Sequence, residues 1–181
     1  MGCDIHLAIE VRENHLGTWY HVGLNDMIYI PRCYTMFGAM TGGQVRGDSS
    51  GLDFTPRGLP DDVTRSVTTN NALYILEDDK YDKSVNKDDL CSTSQAELWV
   101  TQHGCEYLDN MGTSSRWVTN PNYHSHSWLI TSEFKKVIDK VVKYNKSFGY
   151  SKPLHYMAIL AMMIEYEKEG WEARIVFWFD N

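Results

Sequence analysis

The chain has no run of fifteen apolar residues, so no segment of it reads as a membrane span. It has no CxxC pair. Its four cysteines, Cys3, Cys33, Cys91 and Cys105, stand far apart, and free thiols in a reducing compartment are expected of them. It has no surplus of positive charge: 17 Lys and Arg stand against 24 Asp and Glu, a net charge of −7. That balance counts against long nucleic acid as a partner, because every phosphate contact needs a cation. It leaves room for a small nucleotide-like ligand, which two or three well-placed arginines can hold. No Walker loop, GxGxxG or GxSxG motif is present, so the triphosphatase, dinucleotide and serine-hydrolase classes find no support. The opening "MGCDIHLAIEVRENH" meets charge within four residues and lacks an apolar export core. Its start resembles a myristoylation signal, but His6 stands where that signal needs Ser or Thr. A cytoplasmic protein without a membrane partner is expected.

What is present suits a folded domain. Over 181 residues the hydrophobic fraction is 43% and the aromatic fraction 13%. A single α+β domain spanning 1–181 is expected, with an acidic insertion at approximately 77–110. In "CDIHLAIEVR", Ile5, Leu7, Ile9 and Val11 alternate with Asp4, His6, Ala8 and Glu10, which predicts a strand with one buried face. "TWYHVG" reads as its hairpin partner. Residues 32–40 fit a short helix stopped by "TGG", and 41–71 a long irregular region. "NNALYILEDD" reads as a strand, and "QAELWVTQHG" as either a strand or a short helix. Helical spacing of Phe134, Val137, Ile138, Val141 and Val142 predicts a helix capped by Thr131 or Ser132. A second helix starts near Pro153 and ends at Gly170; it is apolar around much of its circumference and is expected to be well buried, with His155 a core histidine. "EARIVFWFDN" alternates again and closes the chain as a strand. The expected architecture is a mixed or antiparallel sheet that contains both terminal strands, packed by the two C-terminal helices.

The chemistry-bearing residues fall into two groups. Asp4 and His6 lie two apart on a strand and share a face; His124 and His126 in "NYHSHSWL" do so too if that segment is extended. The polar "TSSRWVTNPNY" before them is expected to be a loop that delivers the pair to a helix start, at the rim of a cleft opposite Asp4 and His6. One Asp and three His suit a catalytic divalent metal (Zn, Mn or Mg) with an open position. A metal-free alternative uses the histidines as general acid and base, since imidazole titrates near neutrality. "HSH", "HSW" and "HLA" do not match the His-x-Ser/Thr motif of two-histidine phosphoesterases. Taken singly, each pair also fits ordinary surface or hydrogen-bonded histidines. The second group is Arg46 and Arg57, both beside glycine in the irregular middle, where guanidinium groups can grip phosphate or simply face solvent on turns. Tyr34, Trp128 and Trp178 offer rings for a base to stack on.

Several stretches together resemble a family of small, largely uncharacterised bacteriophage and prophage proteins. They are "MGCDIHLAIEVR", "RCYTMFGAMTGGQVR" with its Arg-x-Tyr-x-x-Phe pattern, "PRGLPDDV", "HSHSWL" and the terminal "RIVFWFDN". They span both ends of the chain. Cys33 stands where Asn is more usual in that family, and the acidic insertion is particular to this chain. The resemblance implies a phage origin, hence the host cytoplasm, and groups Cys3, Asp4, His6, Arg32, Tyr34, Arg57, His124, His126 and Asp180 into one site. The expected function is hydrolysis of a phosphodiester or phosphoryl group on a nucleotide-sized substrate. His6, His124, His126 and Asp4 are the catalytic candidates; Arg32, Tyr34, Arg46, Arg57 and Trp128 are the substrate-binding ones. The alternatives are a non-catalytic binder that sequesters a host nucleotide signal against host defence, and a protein-interaction module.

Overall fold

The structure, a computed structural model, describes residues 2–22, 30–46, 54–82, 89–108 and 116–180. In chain order the elements are β1 (Asp4–Arg12), β2 (Tyr20–His21), α1 (Tyr34–Met40), α2 (Arg65–Asn71), β3 (Ala72–Leu76), β4 (Leu90–Ser92), α3 (Thr93–Gln102), β5 (Trp117–Thr119), β6 (Tyr123–Ile130), α4 (Thr131–Phe148), α5 (Leu154–Lys168) and β7 (Glu172–Asp180). They form two compact units, one from 1–64 with 124–181, the other from 65–123. The sequence suggests one domain with an insertion near 77–110; the segment that interrupts the first unit is longer and has its own sheet.

The first unit is built on a four-stranded sheet in the order β2-β1-β7-β6. The two terminal strands pair antiparallel along their whole length, from Asp4 opposite Asp180 to Arg12 opposite Glu172. This is the arrangement their matched alternation predicts. Ile5, Leu7, Ile9, Ala173, Ile175, Phe177 and Phe179 form the apolar face, and α1, α4 and α5 pack on it through Phe37, Phe134, Val137, Tyr156 and Ile159. The helix stop after α1 is as expected, with Gly42 and Gly43 in the left-handed region at φ 57° and 87°.

Two expectations need correction. The other face of β1 and β7 is not a solvent face: Ala8, Glu10, Val176 and Trp178 are each 0% exposed, and Arg174 is 3% exposed. A strand pair in the middle of a sheet can be covered on both sides, and alternation of polar type does not report this when the polar groups are paired. Helix α5 is not buried all round. Tyr156, Ile159, Leu160 and Met163 face the core, whereas Leu154, His155 and Met162 are exposed, so His155 is not a core histidine. The apolar circumference exceeds what one sheet face can cover.

In the second unit β3 lies between β4, parallel, and β5, antiparallel. The ambiguous "QAELWVTQHG" is helical: Ser92 Oγ accepts from Gln95 N at 3.2 Å and Gln95 Oε1 accepts from Ser92 N at 3.1 Å, closing a capping box that starts α3. The stretch expected to be a loop before the histidines contains β5, and "RSVTTNN" forms α2 in what was expected to be a long irregular region. Leu73, Ile75, Cys91, Ala96, Cys105 and Val118 make this unit's small core. Among the described residues no helix is long and apolar enough to cross a membrane.

Candidate functional site

Strand pairing of β1 with β7 sets the first site. Because Asp4 opposes Asp180 and His6 opposes Trp178, the carboxylate of Asp180 reaches diagonally to His6, with Nε2 to Oδ2 at 3.1 Å. His6 is 27% exposed and Asp180 33% exposed, so the pair is open to a ligand. Asp180 Oδ1 also accepts from the backbone N–H of Asp4 at 3.1 Å, which fixes the carboxylate. Beside it, Arg32 grips Asp4 with two bonds, Nε to Oδ1 at 2.5 Å and Nη2 to Oδ2 at 2.6 Å. Those bonds hold the Asp4 carboxyl below the usual range and push the Arg32 guanidinium up. The Arg32 head lies where a side chain at position 2 would be: a Cβ on Gly2 would stand 2.1 Å from Arg32 Nη1. Arg46, itself left-handed at φ 65°, stacks over the Tyr34 ring at 4.8 Å. Arg46 and Arg32 both lie within electrostatic range of Cys3, whose buried thiol is pushed up by burial and so stays protonated. Asp4, His6, Arg32, Tyr34, Arg46 and Asp180 thus gather at one end of the strand pair.

The two other histidines are placed differently. Strands β6 and β7 run in opposite senses, since Thr131 Oγ1 bonds the Ala173 carbonyl at 3.3 Å while His126 lies beside Trp178. Ser125 between the histidines is left-handed, φ 54°. That twist breaks the two-residue period, and the pair does not share a face. The His124 ring lies 6.1 Å from Phe179, which faces the helices; the His126 ring lies 6.2 Å from Trp178, which faces the other way. His124 Nδ1 meets Ser125 Oγ at 3.1 Å, and its buried Nε2 has no partner among the described residues. Burial, helped by the nearby His124, pulls His126 down to about 4, so it is neutral at neutral pH.

His6 and His126 do not approach each other. The Trp178 indole stands between them, 5.6 Å from His6 at an interplanar angle of 9° and 6.2 Å from His126 at 26°. The two histidines are two strand spacings apart, about 9.5 Å, with a ring filling the gap. A metal with bonds near 2 Å cannot join them. Among the described residues no group of three His, Cys, Asp or Glu is arranged to hold a metal ion. The set Asp4, His6, His124 and His126 therefore does not fit one ion.

Arg57 and Trp128 belong to another place. Gly58 N bonds the His126 carbonyl at 2.9 Å and Arg57 N bonds Ser127 Oγ at 3.2 Å, which ties the 57–58 backbone to β6. The Arg57 guanidinium then lies 4.7 Å over the Trp128 ring and bonds Glu133 at 2.7 Å. Both line a cavity of about 800 Å³ that reaches Trp19 and Arg174. Its floor is an ionic network: Arg174 bonds Glu10 and Asp62 at 2.7 and 2.6 Å, and Trp19 Nε1 bonds Asp62 at 2.7 Å. Burial raises the Asp62 carboxyl, but the bonds from Arg174 and Trp19 outweigh it and hold the group below its ordinary value. Nothing in the sequence marks Glu10, Asp62 and Trp19 as site residues beyond the opposite charges of Glu10 and Arg174, which stand on the second face of strands whose first face is apolar. No protein-family model, curated protein or solved structure matches the chain, so the site stands on its own geometry.

Proposed function

We propose that this chain is a phage-encoded, cytoplasmic hydrolase that cleaves a phosphoryl or phosphodiester bond of a nucleotide-sized substrate at the strand-end cluster. The observation that carries this reading is the His6–Asp180 hydrogen bond beside two arginines, about a third open to solvent. With Nε2–H given to Asp180, His6 keeps its basic lone pair on Nδ1. In the proposed reaction Nδ1 takes a proton from water as the water oxygen bonds to phosphorus. The P–O bond to the leaving group breaks, and the imidazolium returns its proton to that oxygen. Asp180 holds the ring and stabilises its charged form. Arg46 and Arg32 hold the phosphate oxygens, and Tyr34 stacks on the base.

The test is turnover of p-nitrophenyl phosphate and bis(p-nitrophenyl) phosphate, with and without added Zn, Mn or Mg. Release of nitrophenol that falls at least a hundredfold in His6→Ala and Asp180→Asn supports the reading. Equal turnover by both variants, or none by the parent chain under any of these conditions, sinks it. Gly2→Ala is a finer probe, because the new Cβ displaces Arg32 from Asp4 and is expected to weaken substrate binding more than kcat.

One observation favours a second reading, a binder that sequesters a small nucleotide-like ligand. Arg57 over Trp128 at the mouth of the cavity offers an indole and a cation together. A nucleotide that co-purifies and is lost in Trp128→Ala, with no turnover in the parent, decides for the binder.

A further inference from the structure

The charge of the chain is unevenly placed. Between 134 and 157 there are six lysines and one carboxylate, Asp139, a local net charge of +5 in a chain of −7. Within that stretch three rings stand in series at the end of α4. Tyr144 and Phe148, four residues apart on the helix, are 4.6 Å apart; Phe148 and Tyr150 are 6.1 Å apart with an interplanar angle of 20°. Phe148 is 60% exposed and Tyr150 59% exposed.

The series is built by the helix stop. Gly149 is left-handed at φ 71°, which turns the chain so that Tyr150 folds back beside Phe148. Tyr150 N then bonds the Asn145 carbonyl at 2.8 Å, and the buried Asn145 side chain donates to the Ser151 carbonyl at 2.7 Å. Lys140 and Lys143, one helical turn or less from Tyr144, and Lys152, two residues past Tyr150, are exposed around the rings.

We infer that this end of the α4–α5 hairpin binds single-stranded nucleic acid, with bases stacked on Phe148 and Tyr150 and phosphates held by the neighbouring lysines. The two rings are nearly parallel and exposed, with centroids 6.1 Å apart, so each offers a face on which a base can stack. Duplex DNA is disfavoured because its base faces are not available to the rings. A lipid surface is disfavoured because two of the three rings carry hydroxyls and do not make an apolar wedge. The net charge of −7 argues against polyanion binding by the surface as a whole, not by this patch.

The test is fluorescence anisotropy of a labelled oligothymidylate of about fifteen nucleotides at low salt. Saturable binding is expected that weakens as salt rises, and that falls at least tenfold in Phe148→Ala/Tyr150→Ala. Lys143→Gln/Lys152→Gln is expected to weaken binding and flatten its salt dependence, which keeps the test valid if the aromatic variant unfolds. A duplex of the same length is expected to bind at least tenfold more weakly. No saturation below about 100 μM, or unchanged binding in both variants, overturns the inference. So does co-sedimentation with phosphatidylserine vesicles in the absence of oligonucleotide binding.

Discussion

Near its start β7 gives Arg174 to Glu10 of β1; at its last residue it gives Asp180 to His6 of the same strand. The two partnerships lie on one face of one strand pair, yet their surroundings differ. Glu10 and Arg174 are almost wholly buried, and the cation is satisfied by Asp62 as well. His6 and Asp180 keep about a third of their surface in water. A buried charge pair cannot be opened without stranding a charge in low dielectric, so it fixes strand register and loop position. A partly exposed pair is easily rearranged, and a ligand can approach it. Burial, more than residue type, separates the lock from the candidate site.

The largest expected effect comes from breaking the lock. Glu10→Ala leaves Arg174 buried with less compensation and should cost about 3–5 kcal/mol in denaturant melts. Replacing both partners, Glu10→Leu with Arg174→Met, should cost far less, because no charge is stranded. If the single variant loses under 1 kcal/mol, the distinction between the two ends fails.

The histidine on the buried face should make stability depend on pH. His126 is lowered to about 4 in the folded chain against 6.5 unfolded, so between those values the unfolded state binds more protons. Its contribution is therefore whole above pH 6.5 and is lost as pH falls toward 4. The loss is up to about 3 kcal/mol. Comparing melting curves across that window with those of His126→Gln checks it: the parent should show the steeper decline.

Ser125→Gly should raise stability by up to about 1 kcal/mol, because glycine adopts φ 54° without the strain a side chain brings. A destabilised variant would mean that the Ser125 hydroxyl, through its contact with His124, matters more than the backbone. The smallest effect is expected at the open end. Asp180→Asn should leave stability within about 1 kcal/mol. With Glu10→Ala, that completes the comparison on a single assay.

Much of the frame was legible in the residues. Matched alternation in "DIHLAIEVR" and "EARIVFWFD" specified two strands with facing apolar sides, and the spacing of Phe134, Val137, Ile138 and Val141 specified α4. The candidate site was partly legible: Asp4, His6, Arg32, Tyr34 and Arg46 do meet, with Asp180 as the partner of His6. Arg57 and Trp128 meet each other instead, at the cavity, because the 57–58 backbone is tied to β6. The histidine pair was expected to share a face only if its segment is extended throughout, and one left-handed residue, Ser125, breaks that condition.

The sequence by itself determined which segments are strands and helices, because periodicity records which side of an element must leave water. Only the tertiary structure decided which polar groups on the second face are locks and which are open. That depends on what covers each position, Asp62 and Trp19 over Arg174 at one end and solvent beside Asp180 at the other. Cover comes from residues distant in the chain, and no local pattern encodes it.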